Sequence, residues 1–286
     1  MGMVGTVGLV LHPQRDSKKA IDTILRWAAD KGATVLGLPE EVGRIDCTAV
    51  AVDATTLVER ADLLVGLGGD GTMLRTMRLL AGRPTPILGV NLGRLGFLAE
   101  IDVDELQATL SAIDEHAYTI EPRMAIRSTV AGVHVTAFND IALVRTPGDG
   151  LAGVSVTPAG SPFVSYSADA VIVATSTGST AYSFSAGGPI VSPRVEAVLV
   201  VAAAAHSSFN RALVLPADEE VTLKVLPSSG RLAVEVDGAV VGHLHPGDSV
   251  TVSAWPGAAK VVRLGTTFYE RARRKLRVDG GLTEPG

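Results

Sequence analysis

Apolar positions along the first ninety residues change period several times. Val4 to Leu11 is a short, nearly continuous apolar stretch of the kind a buried strand shows. Ser17 to Lys31 then spaces Ile21, Ile24, Leu25 and Ala28 at helical intervals until Gly32 ends the run. Thr34 to Leu38 predicts a second strand. A variable loop follows, then the short apolar run Ala61 to Leu67, a helix over Thr72 to Ala81 and a strand over Ile87 to Val90. Strands alternating with helices predict a parallel sheet in an α/β domain.

Past Glu121-Pro122 the texture changes. Ala125 to Val144, Gly153 to Val164 and Val221 to Val252 are rich in Val and Thr and alternate with period two. Ser228-Ser229-Gly230, Asp237-Gly238 and Pro246-Gly247-Asp248 are the punctuation expected of hairpins. The pattern divides the chain into an α/β domain with a parallel sheet over residues 1–121 and a larger, mainly β domain over residues 122–268. Phe268 to Arg277 reads as a basic helix. The segment 269–286 is expected to pack back on the first domain, with Gly280 to Gly286 frayed.

Composition narrows the function classes. A chain of 286 residues, 47% hydrophobic and 19% charged, buries a full core without disulfides or structural metals. Twenty-five Lys and Arg against 30 Asp and Glu leave a net charge of −5, which removes the clustered basic surface of a nucleic-acid binder. Cys47 is the single cysteine, so no disulfide forms within the chain and a reduced cytosol is the expected setting. The longest apolar run, Ala197 to Ala205, is far shorter than the about 20 residues of a helical span, so no membrane partner is expected. Met1 to Thr6 has the form of a myristoylation signal, but Val4 and Val7 belong to the first strand.

The candidate chemistry lies in Val65-Gly66-Leu67-Gly68-Gly69-Asp70-Gly71-Thr72, where a strand ends and a helix begins. Such a turn presents backbone N–H groups and a helix N-terminus to an anion, and its glycines admit a phosphate. Gly66, Gly68 and Gly71 also spell G-x-G-x-x-G, yet that fingerprint wants an acidic residue about 20 positions on. Between Gly71 and Ala99 there is no Asp or Glu; there are Arg75, Arg78, Arg83 and Arg94 instead. Asp70 suits a helix N-cap. In a loop shaped for phosphate, however, a carboxylate repels the ligand unless it holds a proton, a metal ion or a reacting hydroxyl, which makes Asp70 a candidate for chemistry. A P-loop is excluded, because its Gly-Lys-Ser/Thr ending is missing.

Gly-Gly-Asp-Gly-Thr at a strand end resembles the superfamily of NAD kinases, lipid kinases and 6-phosphofructokinases. Gly89 to Leu98 and Thr177 to Ile190 resemble the second and third signatures of the NAD kinase family, and Phe268-Tyr269-Glu270-Arg271 is similar to its closing helix. The resemblance covers roughly Ala61 to Leu276. It implies an enzyme that transfers phosphate from ATP, or another phosphoryl donor, to the 2′-hydroxyl of the adenosine ribose of NAD. It implies Asp70 as the base, with Gly68, Gly69, Gly71, Thr72, Arg75 and Asn91 at the donor phosphates and nucleotide. A divalent ion, most readily Mg²⁺, would neutralise those phosphates. NAD would be held by Asn139, Asp140, Asp169, Thr177, Ser179, Thr180, Ala181, Tyr182, Ser185 and Ala204 in the β-rich domain, and a homodimer or homotetramer is implied.

Two departures from the family pattern stand out. Asp140 stands where a glutamate is usual, and Ala168 and Ala170 flank Asp169 where glycines are usual. Other readings are a kinase for a different nucleoside, a polyol or a lipid, and an NAD(H) sensor without turnover. The intact Gly-Gly-Asp-Gly-Thr argues against the sensor, since a pure binder gains by losing the repulsive carboxylate. His243 and His245 share a strand face but lack a nearby carboxylate or cysteine, so no zinc site is expected.

Overall fold

Two compact units emerge from the computed structural model, which describes residues 4–45, 47–80, 82–93, 96–265 and 267–278. They are Met1–Glu121 with Ala259–Gly286, and Pro122–Ala258. The return to the first unit therefore comes at Ala259, ten residues before the expected return at 269, because the end of one long strand pairs there. Arg94, Leu95, the first three residues and Gly280 to Gly286 lie outside the described residues.

The first unit runs β1 (Thr6–Leu11), α1 (Lys18–Lys31), β2 (Thr34–Gly37), α2 (Pro39–Ile45), β3 (Val50–Ala51), α3 (Ala54–Arg60), β4 (Leu63–Gly68), α4 (Asp70–Leu80), β5 (Pro86–Asn91), β6 (Ile101–Asp102) and α5 (Leu106–Asp114). Every residue of β4 and β5 is buried, as in strands covered on both faces, so these strands read as apolar runs without alternation. The strands pair in parallel in the order β5-β4-β1-β2-β3, with β6 beside β5. Helix α1 buries Ala20, Ile21, Ile24, Trp27 and Ala28 against Val7, Leu9, Val65 and Leu67, and ends at Gly32 in the left-handed conformation.

The loop expected between Leu38 and Ala61 contains two helices and a short strand. Seven-residue helices carry too few turns to show a period, although Asp53 accepts the Thr56 N–H at 2.9 Å as an N-cap. Helix α4 starts at Asp70, two residues before the expected Thr72, because the Gly69 carbonyl accepts the N–H groups of Thr72 and Met73 at 3.0 and 3.1 Å.

The second unit contains β7 (Thr119–Val130), β8 (Val133–Ala137), β9 (Asp140–Arg145), β10 (Ala152–Pro158), β11 (Val164–Ala168), β12 (Ala170–Thr175), α6 (Tyr182–Ser185), β13 (Ala197–Ala203), β14 (Leu213–Pro216), β15 (Val221–Val225), β16 (Leu232–Val236), β17 (Ala239–Leu244) and most of β18 (Ser249–Arg263). Six strands form an antiparallel sheet in the order β14-β13-β12-β9-β16-β17. One of its faces interleaves Ile141, Leu143, Val171, Val173, Val198 and Val234 with Val154, Val156, Leu223, Val225, Val250 and Val252 of β10, β15 and β18. Of the three expected hairpin turns, Asp237-Gly238 is one, with φ of 47° and 81° between β16 and β17. Ser228 to Gly230 and Pro246 to Asp248 instead carry the chain between sheets.

Helix α7 (Phe268–Leu276) and the end of β18 are fixed to the first unit by a buried carboxylate. Lys260 and Val261 pair in parallel with Pro86 and Ile87. Glu100, its side chain 1% exposed, binds the guanidinium groups of Arg263 and Arg271 and accepts the Leu264 N–H at 2.9 Å. Arg263 also reaches Glu121 at 2.9 Å. Removing one partner of a buried ion pair costs about 3–5 kcal/mol, because the charge left behind stays desolvated. Glu100→Ala is therefore expected to lower the urea midpoint by a loss of that size, while exposed Glu59→Ala leaves it nearly unchanged.

Candidate functional site

The parallel sheet fixes where a ligand can approach the first unit. The chain proceeds from β1 through β2 to β3 on one side, then returns to β4 on the other side of β1. In open parallel sheets the crevice at the carboxyl ends of the strands flanking such a reversal is the binding position. Here it is bounded by Gly68 to Asp70 after β4 and by the loop beginning at His12 after β1, whose N–H bonds the Leu67 carbonyl at 2.8 Å. A side chain at Gly68 would run into Thr72, which is buried, so this turn is closed from within. Gly69 and Gly71 face open space.

The Asp70 carboxylate accepts N–H groups from Phe97 at 3.1 Å and Leu98 at 3.0 Å, and lies 3.2 Å from the ammonium of Lys275. It rests so closely on Gly96 that a β-carbon there would come within 2.0 Å of Oδ1. Glycine at position 96 is thus what allows the second signature to fold over the carboxylate. Arg75 hydrogen-bonds the Leu11 carbonyl at 2.7 Å and pairs with Glu41, whose other oxygen takes the Leu11 N–H at 2.6 Å. The His12 imidazole is held below its ordinary pKa by burial and then by the positive charges of Arg15, Arg44 and Arg75. Those three arginines therefore place positive charge close to His12, that of Arg75 shared with Glu41. Asn91 is buried and spends its amide on Gly93 and Asp102, so it shapes the turn after β5.

In the second unit the residues around the third signature come together. Thr175 at the end of β12 donates its N–H to the Asn139 carbonyl at 2.8 Å and its hydroxyl to Phe138 at 2.6 Å, and accepts the Gly178 N–H at 2.9 Å. Asp237, in the β16–β17 turn, accepts the N–H groups of Phe138, Asn139 and Asp140 at 3.2, 2.7 and 3.3 Å. Nothing in the spacing of the sequence indicates this buttress, which depends on strand pairing across about a hundred residues. Tyr182 lies with Ala142, Ala170, Ile172 and Ala174 on the face of the six-stranded sheet opposite its main core. The four strand residues are fully buried, covered by Tyr182 together with Ala186 and Val191.

Asp140 is buried, and burial raises its pKa to about 7, reinforced by Asp237 and Glu235 and opposed by the Tyr182 N–H. The Tyr182 hydroxyl is pushed above its usual value by burial first and then by Glu235, Asp169 and Asp140. Asp169 pairs with Arg145 at 2.5 Å, and its N–H bonds the Ala203 carbonyl beside exposed Ala204. Asp140 lies opposite Ala174, so Asp169 and Asp140 mark places about 17 Å apart along β12, at roughly 3.3 Å per residue. Thr180, Ala181 and Ser185 are partly or fully exposed. Ser179 does not join them: it is wholly buried, and its hydroxyl exchanges hydrogen bonds with the Val191 backbone. Thr177 is buried and accepts from Arg123 at 3.2 Å. Glu235, Asp237, Arg145, Gly96 and Lys275 are the residues that sequence reasoning did not single out.

A parallel α/β unit with a carboxylate in its glycine loop, in one chain with a β unit built on a six-stranded antiparallel sheet, defines a nucleotide-binding protein of phosphoryl-transfer type. Residues 7–118 match the ATP-NAD kinase N-terminal domain and residues 138–264 the ATP-NAD kinase C-terminal domain, so the chain belongs to the NAD kinase family. NAD kinase 1 of Streptomyces avermitilis is 40% identical over 96% of this chain and 87% of its own. The NAD kinase of Moorella thermoacetica is 37% identical over 96% and 90%. Yeast NADH kinase complexed with NADH superposes with a TM-score of 0.86 at 25% identity, covering 99% of this chain and 90% of that one. An NAD kinase from Archaeoglobus fulgidus in complex with ATP shares the fold, with a TM-score of 0.73 at 22% identity over 95% and 97%.

The raised pKa of Asp140 has a consequence for stability. In the unfolded chain an aspartate titrates near 3.9. The folded state holds the proton more tightly, so the stabilisation is complete below about pH 4 and is lost as pH rises through about 7. Asp140→Asn removes the titration. Urea unfolding is expected to show the wild type losing stability between pH 5 and pH 8 and Asp140→Asn losing distinctly less.

Proposed function

We propose that this protein transfers the terminal phosphate of ATP to the adenosine 2′-hydroxyl of NAD, giving NADP. The observation that carries this reading is Asp70, a carboxylate inside a glycine loop at the sheet's reversal point, in a chain of the NAD kinase family. Arg15, Arg44 and Arg75, near His12, suit the donor phosphates, with the open glycines 69 and 71 letting them approach the start of α4. Among the described residues no group of three His, Cys, Asp or Glu is placed to hold a metal ion. A Mg²⁺ ion carried on the nucleotide phosphates would need few protein ligands and keep several waters; Asp70 is the carboxylate within the loop.

In the transfer, the ribose oxygen forms a bond to the γ-phosphorus while the bond from that phosphorus to the β–γ bridging oxygen breaks and ADP leaves. The hydroxyl proton passes to Asp70 and from there to water. Proton loss is late in a loose phosphoryl-transfer transition state, so an ordinary carboxylate suffices if it orients the hydroxyl. Asp169 and Asp140, about 17 Å apart along β12 and both near enough to Tyr182 to help raise its pKa, suit an elongated ligand with two ribose groups better than a single nucleoside. Asp140, although one methylene shorter than glutamate, already reaches the third signature through the Tyr182 N–H.

Incubation with ATP, Mg²⁺ and NAD, read by an NADP-specific dehydrogenase, tests the reading directly. Asp70→Asn is expected to keep the fold and to lower kcat at least ~10²-fold, the usual loss for a missing general base; an unchanged kcat in folded protein removes the assignment. Asp140→Ala is expected to raise KM for NAD far more than KM for ATP.

A further inference from the structure

Lys275 sits where the proposed reaction has to resolve a conflict of charge. Its ammonium is 3.2 Å from Asp70 Oδ2 and 4.6 Å from the centroid of the Phe97 ring. Oδ2 also takes the Phe97 N–H, so this oxygen has a donor on each of its two lone pairs. Oδ1 takes the Leu98 N–H and is pressed against Gly96. A carboxylate so occupied has little room left to accept a ribose hydroxyl. The backbone donors are fixed by the fold, whereas the lysine is a flexible side chain, 35% exposed, on the solvent side of α7.

The helix that carries Lys275 is held independently of it. Arg271 is buried against Glu100, Phe268 packs on Phe97, and a capping box between Thr267 and Glu270 closes the N-terminus. Lys275 is therefore free to change partner without moving the backbone. Any phosphoryl group within hydrogen-bond reach of Asp70 lies within reach of this ammonium, and a multiply charged phosphate outcompetes a single carboxylate for it.

We propose that Lys275 alternates between two partners: Asp70 in the empty enzyme, and the transferred phosphoryl group in the loaded one. Donor binding draws the ammonium off Oδ2, which frees that lone pair for the acceptor hydroxyl and places a positive charge beside the phosphate as its charge is redistributed. Lys275 keeps its proton throughout, and the hydroxyl proton still goes to Asp70. This inference rests on the reading of Asp70 given above.

Calorimetric titration with ATP, which needs no turnover, separates the two. Lys275→Met is expected to weaken ATP binding about tenfold and to lower kcat about 10–100-fold, leaving KM for NAD within about twofold; Lys275→Arg restores most of both losses. Asp70→Asn releases Lys275 from its resting partner. It is expected to tighten ATP binding, and the gain should be at least about threefold larger with Lys275 present than in the Lys275→Met background. Unchanged ATP affinity and kcat in Lys275→Met, or an equal gain in both backgrounds, overturns the exchange. If Asp70→Asn retains full turnover, the reading of Asp70 fails whatever Lys275 does. A thermal midpoint for Lys275→Met within a few degrees of wild type shows that α7 is still in place, and a large drop assigns the lysine a purely structural role.

Discussion

The Glu100 carboxylate is the contact on which the arrangement around Asp70 depends. It gathers two guanidinium groups and one backbone N–H from the last thirty residues of the chain and binds them to a loop of the parallel unit. A buried carboxylate tolerates this position because both cations and the amide compensate its desolvation. Without it the end of β18 keeps the Arg263–Glu121 pair and α7 the partly exposed Lys275–Asp70 pair. With it, one turn further along the helix, Lys275 arrives at Asp70.

A second constraint is the lack of side-chain volume around the same carboxylate. Gly68 leaves space for Thr72 beneath the loop, and Gly96 lets the segment after β5 lie directly on Asp70. The result is a carboxylate held from one side by backbone amides and from the other by a movable cation. In the β unit the solution differs. There Asp237 and Glu235 add to the burial that raises the proton affinity of Asp140, Glu235, Asp169 and Asp140 add to the burial that raises that of Tyr182, and Asp169 pairs with Arg145.

The sequence by itself determined the elements whose burial is one-sided or complete over several residues. The apolar runs of β1, β4 and β5 and the helical spacing of α1 follow from local burial, and the change from period 3.6 to period 2 after Glu121 marks the second unit. The loop around Asp70 was legible for the same reason: its chemistry is contiguous, with glycines and a carboxylate within five residues. The short helices α2 and α3 were not, since fewer than two turns carry no period. Ser179 and Asn91 belong to motifs whose resemblance implies ligand contact, and in the fold the Ser179 hydroxyl bonds the Val191 backbone while the Asn91 amide bonds the Gly93 backbone and the Asp102 carboxylate.

What only the tertiary structure decided are the contacts between residues far apart in the chain. Glu100 with Arg271, Asp70 with Lys275, and Asp237 with the Asn139 turn span between about 100 and 205 positions. No periodicity or spacing encodes such pairs, because they are set by strand order and by where the chain re-enters its first unit. A charged side chain such as Lys275 looks like ordinary solvated surface in a basic helix until the fold places a specific carboxylate within reach of it.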